Sequence, residues 1–391
     1  MPRGRRMSGS AALLSAAACL MAPPAGAHAP TACPSASSRP GPSGTASVQQ
    51  RYDQGTLGRL ADGHGVMIAV IDSGVDSGHP QLRGAVEPGP DHLDGGLSRL
   101  DCVGHGTAVA GIIAARPTDG VAFRGLAPGA TILALRVSEL VELENGATAG
   151  RRGTAADLAA AIREAVERGA RVINLSLVSY RDDPAVRAAV AFAVARDVVV
   201  VAAAGNRFAE GNPVPYPAAY DGVIGVGAVD EAGRRLPSSQ AGDYVDLVAP
   251  GAGIVSTVPP EGLRAGDGTS FATPFVSATA ALLLQYRPEL TAREVGEQLR
   301  ATADGGGAEG YGAGRLNPLR ALTEVSGPGT RPPTVVGPAA RPAAGVGPPG
   351  PLPLAGALLA ATLLLVATVI ALPRARRRRW RPGVQRAPGK S

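Results

Sequence analysis

Hydrophobic and polar positions divide this chain into three regimes, and the middle one is a folded domain. Five near-continuous apolar runs, at residues 66–71, 132–137, 172–177, 198–203 and 223–229, lack the alternation of a strand with one wet face. Short runs of that kind predict strands buried on both faces, as in a parallel sheet. Helical spacing fills the intervals. Thr154-Ala155-Ala156-Asp157 forms a capping-box sequence, which predicts a helix to about Arg168 with Leu158, Ile162, Ala165 and Val166 facing the sheet. Thr291-Ala292-Arg293-Glu294 opens another, to about Ala303, and residues 312–321 close the domain. Residues 271–284 are apolar on nearly every side, which predicts an enclosed helix with Pro274 in its first turn. Strands alternating with helices predict an α/β domain with a mostly parallel central sheet between two helical layers. No internal repeat is evident.

The other two regimes are the ends. Arg3, Arg5 and Arg6 precede an apolar stretch at residues 11–22 and then Ala25-Gly26-Ala27, which predicts a secretory leader at 1–27. Cys19 lies inside that stretch behind Ala16-Ala17-Ala18, a poor lipid-attachment sequence. An extension at 28–64 follows. From Ala27 to the first strand there are about 38 residues, below the ~40 at which a chain folds alone, so the extension is expected to stay attached rather than act as an independent prodomain. After the domain at 65–326, residues 327–351 hold eight prolines and six glycines, a spacer that cannot bury a core. Residues 352–372 carry no charge over 21 positions. As a helix they would span about 31 Å, the thickness of a bilayer's hydrocarbon core, which predicts one C-terminal transmembrane helix.

Charge fits that arrangement. The tail at 373–391 holds eight Arg and Lys and no acid. Removing those eight and the three leader arginines from the formal +6 leaves −5 for residues 28–372. The exported part is mildly acidic, which argues against nucleic-acid binding, and the basic tail is expected to remain cytoplasmic by the positive-inside rule. The catalytic domain is then expected outside the cell membrane on a single-pass anchor.

Three short segments carry chemistry: Val70-Ile71-Asp72-Ser73-Gly74, Gly104-His105-Gly106-Thr107 and Gly268-Thr269-Ser270-Phe271-Ala272-Thr273-Pro274. A serine hydroxyl needs a base to take its proton, and an imidazole that titrates near neutrality needs an acid to fix its tautomer. Ser270, His105 and Asp72 are the candidates for those roles. Asp72 falls at the carboxyl end of a predicted strand, where sites form in open parallel sheets. Ser270 falls at a helix N-terminus, whose dipole favours a developing anion. Gly205-Asn206 follows the run at 198–204. Asn206 is a candidate oxyanion-hole donor beside the Ser270 backbone N–H, and a Gly-Asn turn is the competing reading.

With VIDSGV, DCVGHGTAVAGIIA, VINLSL, AAAGN, VDLVAPG and GTSFATP all present in the order Asp…His…Ser, the chain resembles the subtilases over roughly residues 65–321. Its anchor and linker resemble those of the mycosins, membrane-anchored proteases of type VII secretion systems. The resemblance implies a subtilisin-like three-layer fold, a serine endopeptidase and a protein or peptide substrate, with a type VII membrane complex as a possible partner; the residues themselves suggest no cofactor or metal. It also implies that an extended peptide pairs with Leu175, Ser176 and Leu177, and that the first pocket lies between them and 202–205, including Ala204 and Gly205. Val178 stands where degradative relatives often carry glycine, which points to limited processing.

Leader cleavage leaves Cys33 and Cys102. An exported pair is more often bridged than free, and the mycosin resemblance implies a bridge that fastens the extension, although two free thiols also fit the residues. His79 is expected to be structural, and His64 and His92 are expected in loops. Asp91, Asp94 and Asp101 match no oxygen-ligand loop. Residues 140–152 read as a polar surface insertion. Three functions compete at this level: a protease processing a type VII substrate, a general surface subtilase, and a scaffold of the secretion complex whose proteolysis is dispensable.

Overall fold

The computed structural model describes residues 52–142 and 148–325, besides Met1. The expected leader, the linker at 327–351, the apolar segment at 352–372, the basic tail and Cys33 lie outside the described residues. Among the described residues, no helix is long and apolar enough to cross a membrane.

In chain order the elements are α1 (Gln54–Leu60), β1 (Met67–Asp72), β2 (Val86–Asp91), α2 (His105–Ala114), β3 (Thr131–Arg136), β4 (Val141–Glu142), β5 (Thr148–Ala149), α3 (Ala155–Glu167), β6 (Val172–Leu175), α4 (Pro184–Val194), β7 (Val199–Ala203), β8 (Val223–Val229), β9 (Leu247–Pro250), β10 (Ile254–Thr257), β11 (Leu263–Gly266), α5 (Thr269–Tyr286), α6 (Ala292–Ala301) and α7 (Pro318–Thr323). Seven strands form one sheet in the order β2-β3-β1-β6-β7-β8-β9, with every neighbouring pair parallel.

Alternation along each strand divides the interior into two layers. Ile68 and Val70 of β1, Ile132 and Ala134 of β3, and Val199 and Val201 of β7 pack under α2, α5 and α6. Ala69 and Ile71, Leu133 and Leu135, and Val200 and Ala202 point the other way, onto Ala161, Ile162 and Ala165 of α3 and Val186, Ala189 and Val190 of α4. Because successive side chains leave opposite faces, a strand covered on both sides must be apolar throughout. The five predicted runs are five of the seven strands of this sheet. β2, Val-Glu-Pro-Gly-Pro-Asp, showed no pattern because it is the edge strand of the sheet, beside β3, the position where prolines are tolerated.

Both predicted capping boxes form, at Thr154/Asp157 and Thr291/Glu294. The enclosed helix differs from expectation. It starts at Thr269, so Pro274 stands in its second turn. Gly268 offers no capping side chain, and the Thr269 N–H donates instead to Asn206 Oδ1 at 3.0 Å, from 63 positions away. Pro274 has no N–H for the Ser270 carbonyl, and Ser176 Oγ donates to that oxygen at 2.9 Å. The expected strand at 172–177 likewise ends at Leu175, because Ser176 is diverted to this contact.

The described end of the extension docks on the domain. Leu57 is buried, the Tyr52 ring packs 5.6 Å from that of Phe275, and Gln285 Oε1 accepts from the Asp62 and Gly63 N–H groups. On the other side of the site, the β10–β11 hairpin is pinned to α2, with Ser256 Oγ donating to the Ala108 carbonyl at 2.6 Å and Thr257 Oγ1 to that of Thr107 at 2.7 Å. Gly111 permits this approach, since a Cβ there would lie 2.2 Å from Thr257 Oγ1 and 2.5 Å from Ser256 Oγ. Gly111→Ala is expected to destabilise the domain by about 1–3 kcal/mol through overpacking. A lower urea midpoint at unchanged slope is the readout, and an unchanged midpoint would refute the contact.

Candidate active site

The carboxyl ends of β1, β6 and β7 open onto one crevice. Asp72 is the last residue of β1 and is 4% exposed. Its Oδ1 accepts from the Ser73 N–H at 2.7 Å and meets His105 Nδ1 at 2.7 Å, while Oδ2 is buried without a donor. A carboxylate facing Nδ1 requires the proton there, which leaves Nε2 with a free lone pair as the basic atom. Burial of the imidazole opposes its charged form, but the charge and hydrogen bond of Asp72, helped by Asp101, outweigh burial and the repulsion of Arg264. The His105 pKa is therefore held above its ordinary value.

A second aspartate builds the platform under this base. Asp101 is 2% exposed. Its Oδ1 accepts from Ser73 Oγ, the Val103 N–H and the Gly104 N–H, and its Oδ2 from the Thr107 N–H and Oγ1, all between 2.8 and 3.1 Å. Ser73 Oγ in turn accepts from the Gly106 N–H at 2.8 Å. The first turn of α2 is thus capped by a residue upstream of Gly104, whose φ of 84° leaves it no capping role of its own. The sequence reading assigned Asp101 no role. The signal available was its place three residues before the glycine at the N-cap of the helix that begins at His105.

Ser270 is the second residue of α5. Phe271, its neighbour, sets its ring edge-on to His105 at 5.7 Å, which brings this turn beside the base. Behind it lies a buried polar chain. Ser277 Oγ donates to Asn174 Oδ1 at 2.8 Å, Asn174 Nδ2 to Ser176 Oγ at 3.0 Å, and Ser176 Oγ to the Ser270 carbonyl. All these groups are satisfied internally, so they fix the Ser270 backbone rather than compete for a ligand. Asn206 is exposed after β7. Its Oδ1 is taken by the Thr269 N–H, so Nδ2, a pure donor, is the side of the amide left to face a ligand.

The residues expected to bind peptide divide by structure. Leu175 is fully buried among α3 and α4, and Ala204 is fully buried against Val229, Val245 and Val248, so neither side chain reaches a ligand. The Ser176 side chain is occupied by Ser270. What this segment offers is backbone, because β1 pairs with β6 only as far as Val70 opposite Asn174, and that edge has no ladder partner beyond. Gly205 is fixed on both sides, its N–H donating to Thr269 Oγ1 at 3.1 Å and its carbonyl accepting from the Gln240 N–H at 2.9 Å. Leu177 is half-buried and lines a cavity of about 90 Å³ with Val137, Leu158, Val186 and Tyr216.

The remaining candidates have structural partners. His79 is buried, with Nε2 3.2 Å from the Gly262 carbonyl and Nδ1 accepting from the Gln81 N–H, and burial lowers its pKa. Asp91 and Asp94 pair with Arg136, and Asp94 also pairs with Arg151 at 3.0 Å. Arg151 and Arg136 hold the Asp94 carboxyl down at about 2. These arginines, with Glu139, tie down the polar insertion expected at 140–152. Cys102, half-buried three residues before His105, is disulfide-bonded, and its expected partner Cys33 lies outside the described residues.

The description "Subtilase family" matches residues 63–314, and the chain belongs to that family of subtilisin-type serine proteases. It is 41% identical over 261 residues to a thermophilic serine proteinase of Bacillus sp. (strain AK1), covering 66% of this chain and 62% of that protein. To thermitase of Thermoactinomyces vulgaris it is 38% identical over 266 residues, 67% of this chain and 90% of thermitase. Among solved structures, MycP3 protease from the type VII (ESX-3) secretion system aligns with TM-score 0.61 and 33% identity, over 71% of this chain and 88% of its own. MycP1 from Mycobacterium smegmatis aligns with TM-score 0.63 and 29% identity, over 74% and 89%.

A general base must be unprotonated to act, so a raised His105 pKa places the acid limb of kcat/KM for peptide hydrolysis above pH 6.5. Asp72→Asn removes the charge that raises it and presents an amide to Nδ1. The limb is expected to move to lower pH and kcat to fall on the order of 10⁴-fold, as the equivalent change does in chymotrypsin-type proteases. A pH–rate profile of both proteins checks this, and a limb that stays in place would refute the coupling.

Proposed function

We propose that this protein is an exported serine endopeptidase held at the cell membrane by residues 352–372, and that it cuts a protein handled by a type VII secretion system. The observation that carries the catalytic part is the Asp72–His105 contact at 2.7 Å, set beside a helix whose second residue is Ser270. In this reading Nε2 of His105 takes the Ser270 Oγ proton as that oxygen attacks a peptide carbonyl. Asp72 stabilises the imidazolium, and His105 returns the proton to the leaving amine. The developing oxyanion is held by Asn206 Nδ2 and the Ser270 N–H at the positive end of α5. Substrate lies extended along the free edge of 175–177 and pairs by backbone.

The secretion role rests on the likeness to the MycP1 and MycP3 proteases, and anchoring rests on the uncharged segment before an arginine-rich tail. Ser270→Ala is expected to abolish hydrolysis, and Asn206→Ala to cost about 10²–10³ in kcat, the loss a subtilisin shows for its oxyanion-hole asparagine. Fluorogenic-peptide assays of folded variants test both, and a Ser270→Ala protein that keeps its activity would overturn the assignment. Secretion assays of the same variant in cells separate processor from scaffold, since only a scaffold keeps export running.

We further propose that Cys33 is the partner of Cys102, closing a loop of about 70 residues worth roughly 4 kcal/mol in the chain-entropy model. The bridge would fasten the extension beside the catalytic base. Peptide mapping without reductant should recover the 33–102 cross-link, and both thiols alkylated in the native protein would refute it.

A further inference from the structure

Tyr180 occupies an unusual place relative to the site. After Leu175, which pairs with Ala202, β6 and β7 part company. One chain runs on through Ser176 to Tyr180, the other through Ala203 to Arg207, and a crevice opens between them. Its far side is closed by the bridge between Ser179 and Tyr216, with both hydrogen bonds at 2.7 Å. Tyr180 stands on the first wall, yet its hydroxyl meets the second, 3.1 Å from where a Cβ on Gly205 would lie and next to the Asn206 backbone. The Arg207 guanidinium lies over its ring, 4.8 Å from the centroid. Gly205, at φ 94°, also abuts Gln240 Oε1, so the floor behind the phenol is filled. Burial holds the phenol pKa up, so the group is a neutral hydroxyl at working pH.

This position bears on what can be cut. A carbonyl oxygen held by Asn206 Nδ2 belongs to a residue whose Cβ is only two bonds from the carbonyl carbon, so its side chain must begin within roughly 6 Å of that amide. The segments flanking that position are 176–180 and 203–207, and Tyr180 reaches from the first to the second. Resting on the protease reading above, we propose that Tyr180 fills the space for the side chain just before the cut bond, and restricts that residue to glycine, alanine or serine. Arg207 holds the ring in place from the solvent side, and bulk, not the hydroxyl, excludes larger groups. Tyr180 is thus a specificity-determining residue, separate from the groups that move protons.

The test uses the full chain in detergent and two fluorogenic peptides identical except for Ala or Phe before the cut bond. The wild-type protein is expected to favour the Ala peptide by about 10–100-fold in kcat/KM. Tyr180→Ala should raise kcat/KM for the Phe peptide at least tenfold and leave the Ala peptide within about threefold, whereas Tyr180→Phe should keep the wild-type preference. Labelling of Ser270 by a small fluorophosphonate reports that each variant is folded, and Tyr180→Val serves if Tyr180→Ala is not. Equal use of both peptides by the wild type, or an unchanged ratio in the folded opened variants, overturns the proposal. Failure of the protease reading looks different: neither peptide is cut by any variant, wild type included, and no fluorophosphonate label appears, which ends both readings.

Discussion

Everything at this site depends on a parallel sheet buried on both faces. Parallel strands all end on the same side, so Asp72 at the end of β1, the free backbone after β6 and Asn206 after β7 converge without any residue between them specifying it. The two helical layers that make the strands uniformly apolar also exclude water from the base of the crevice. In that setting the Asp72 charge acts on His105 through protein rather than solvent, and it outweighs the burial that would otherwise discharge the imidazole.

The helices add position, and they are capped from a distance. α5 begins at glycine and takes its cap from Asn206, the side chain that also offers the donor for an oxyanion. The helix start and the proposed oxyanion donor are therefore two ends of one amide. The proline in the second turn frees the carbonyl of the proposed nucleophile, and the chain Ser277–Asn174–Ser176 returns a hydrogen bond to it. α2 follows the same logic, with Asp101 gathering four donors from the turn that presents His105 and a fifth from Ser73. Buried polar groups that are all satisfied cost little and specify one arrangement, which the proposed base and nucleophile on separate helices require.

The surroundings of the site are held by contacts of their own. Asp94, Glu139, Arg136 and Arg151 form an ion-pair cluster where the chain leaves β3, and the β10–β11 hairpin is pinned over α2. In the proposed reading, Tyr180 narrows the space before the cut bond. A site narrowed in that way would cut at chosen positions rather than digest broadly, the expectation that Val178 also raised.

By itself the sequence determined the sheet and its chemistry. Doubly buried strands need unbroken apolar runs, capping boxes mark helix starts within four residues, and Asp72, His105, Ser270 and Asn206 each sit in a short glycine-rich segment that can be read locally. Tertiary structure alone decided what depends on distant partners. β2 became a strand because an edge tolerates its prolines. α5 began at Thr269 because Asn206 caps it, and the strand expected to reach residue 177 stopped at Leu175 because Ser176 turns to Ser270. Leu175 and Ala204 proved to be core, since the facing of a side chain at a strand end depends on the layers packed around it. The part that Asp101 plays and the place of Tyr180 were illegible for the same reason: nothing in their own neighbourhoods shows that one gathers the turn carrying His105 and the other reaches across to Gly205.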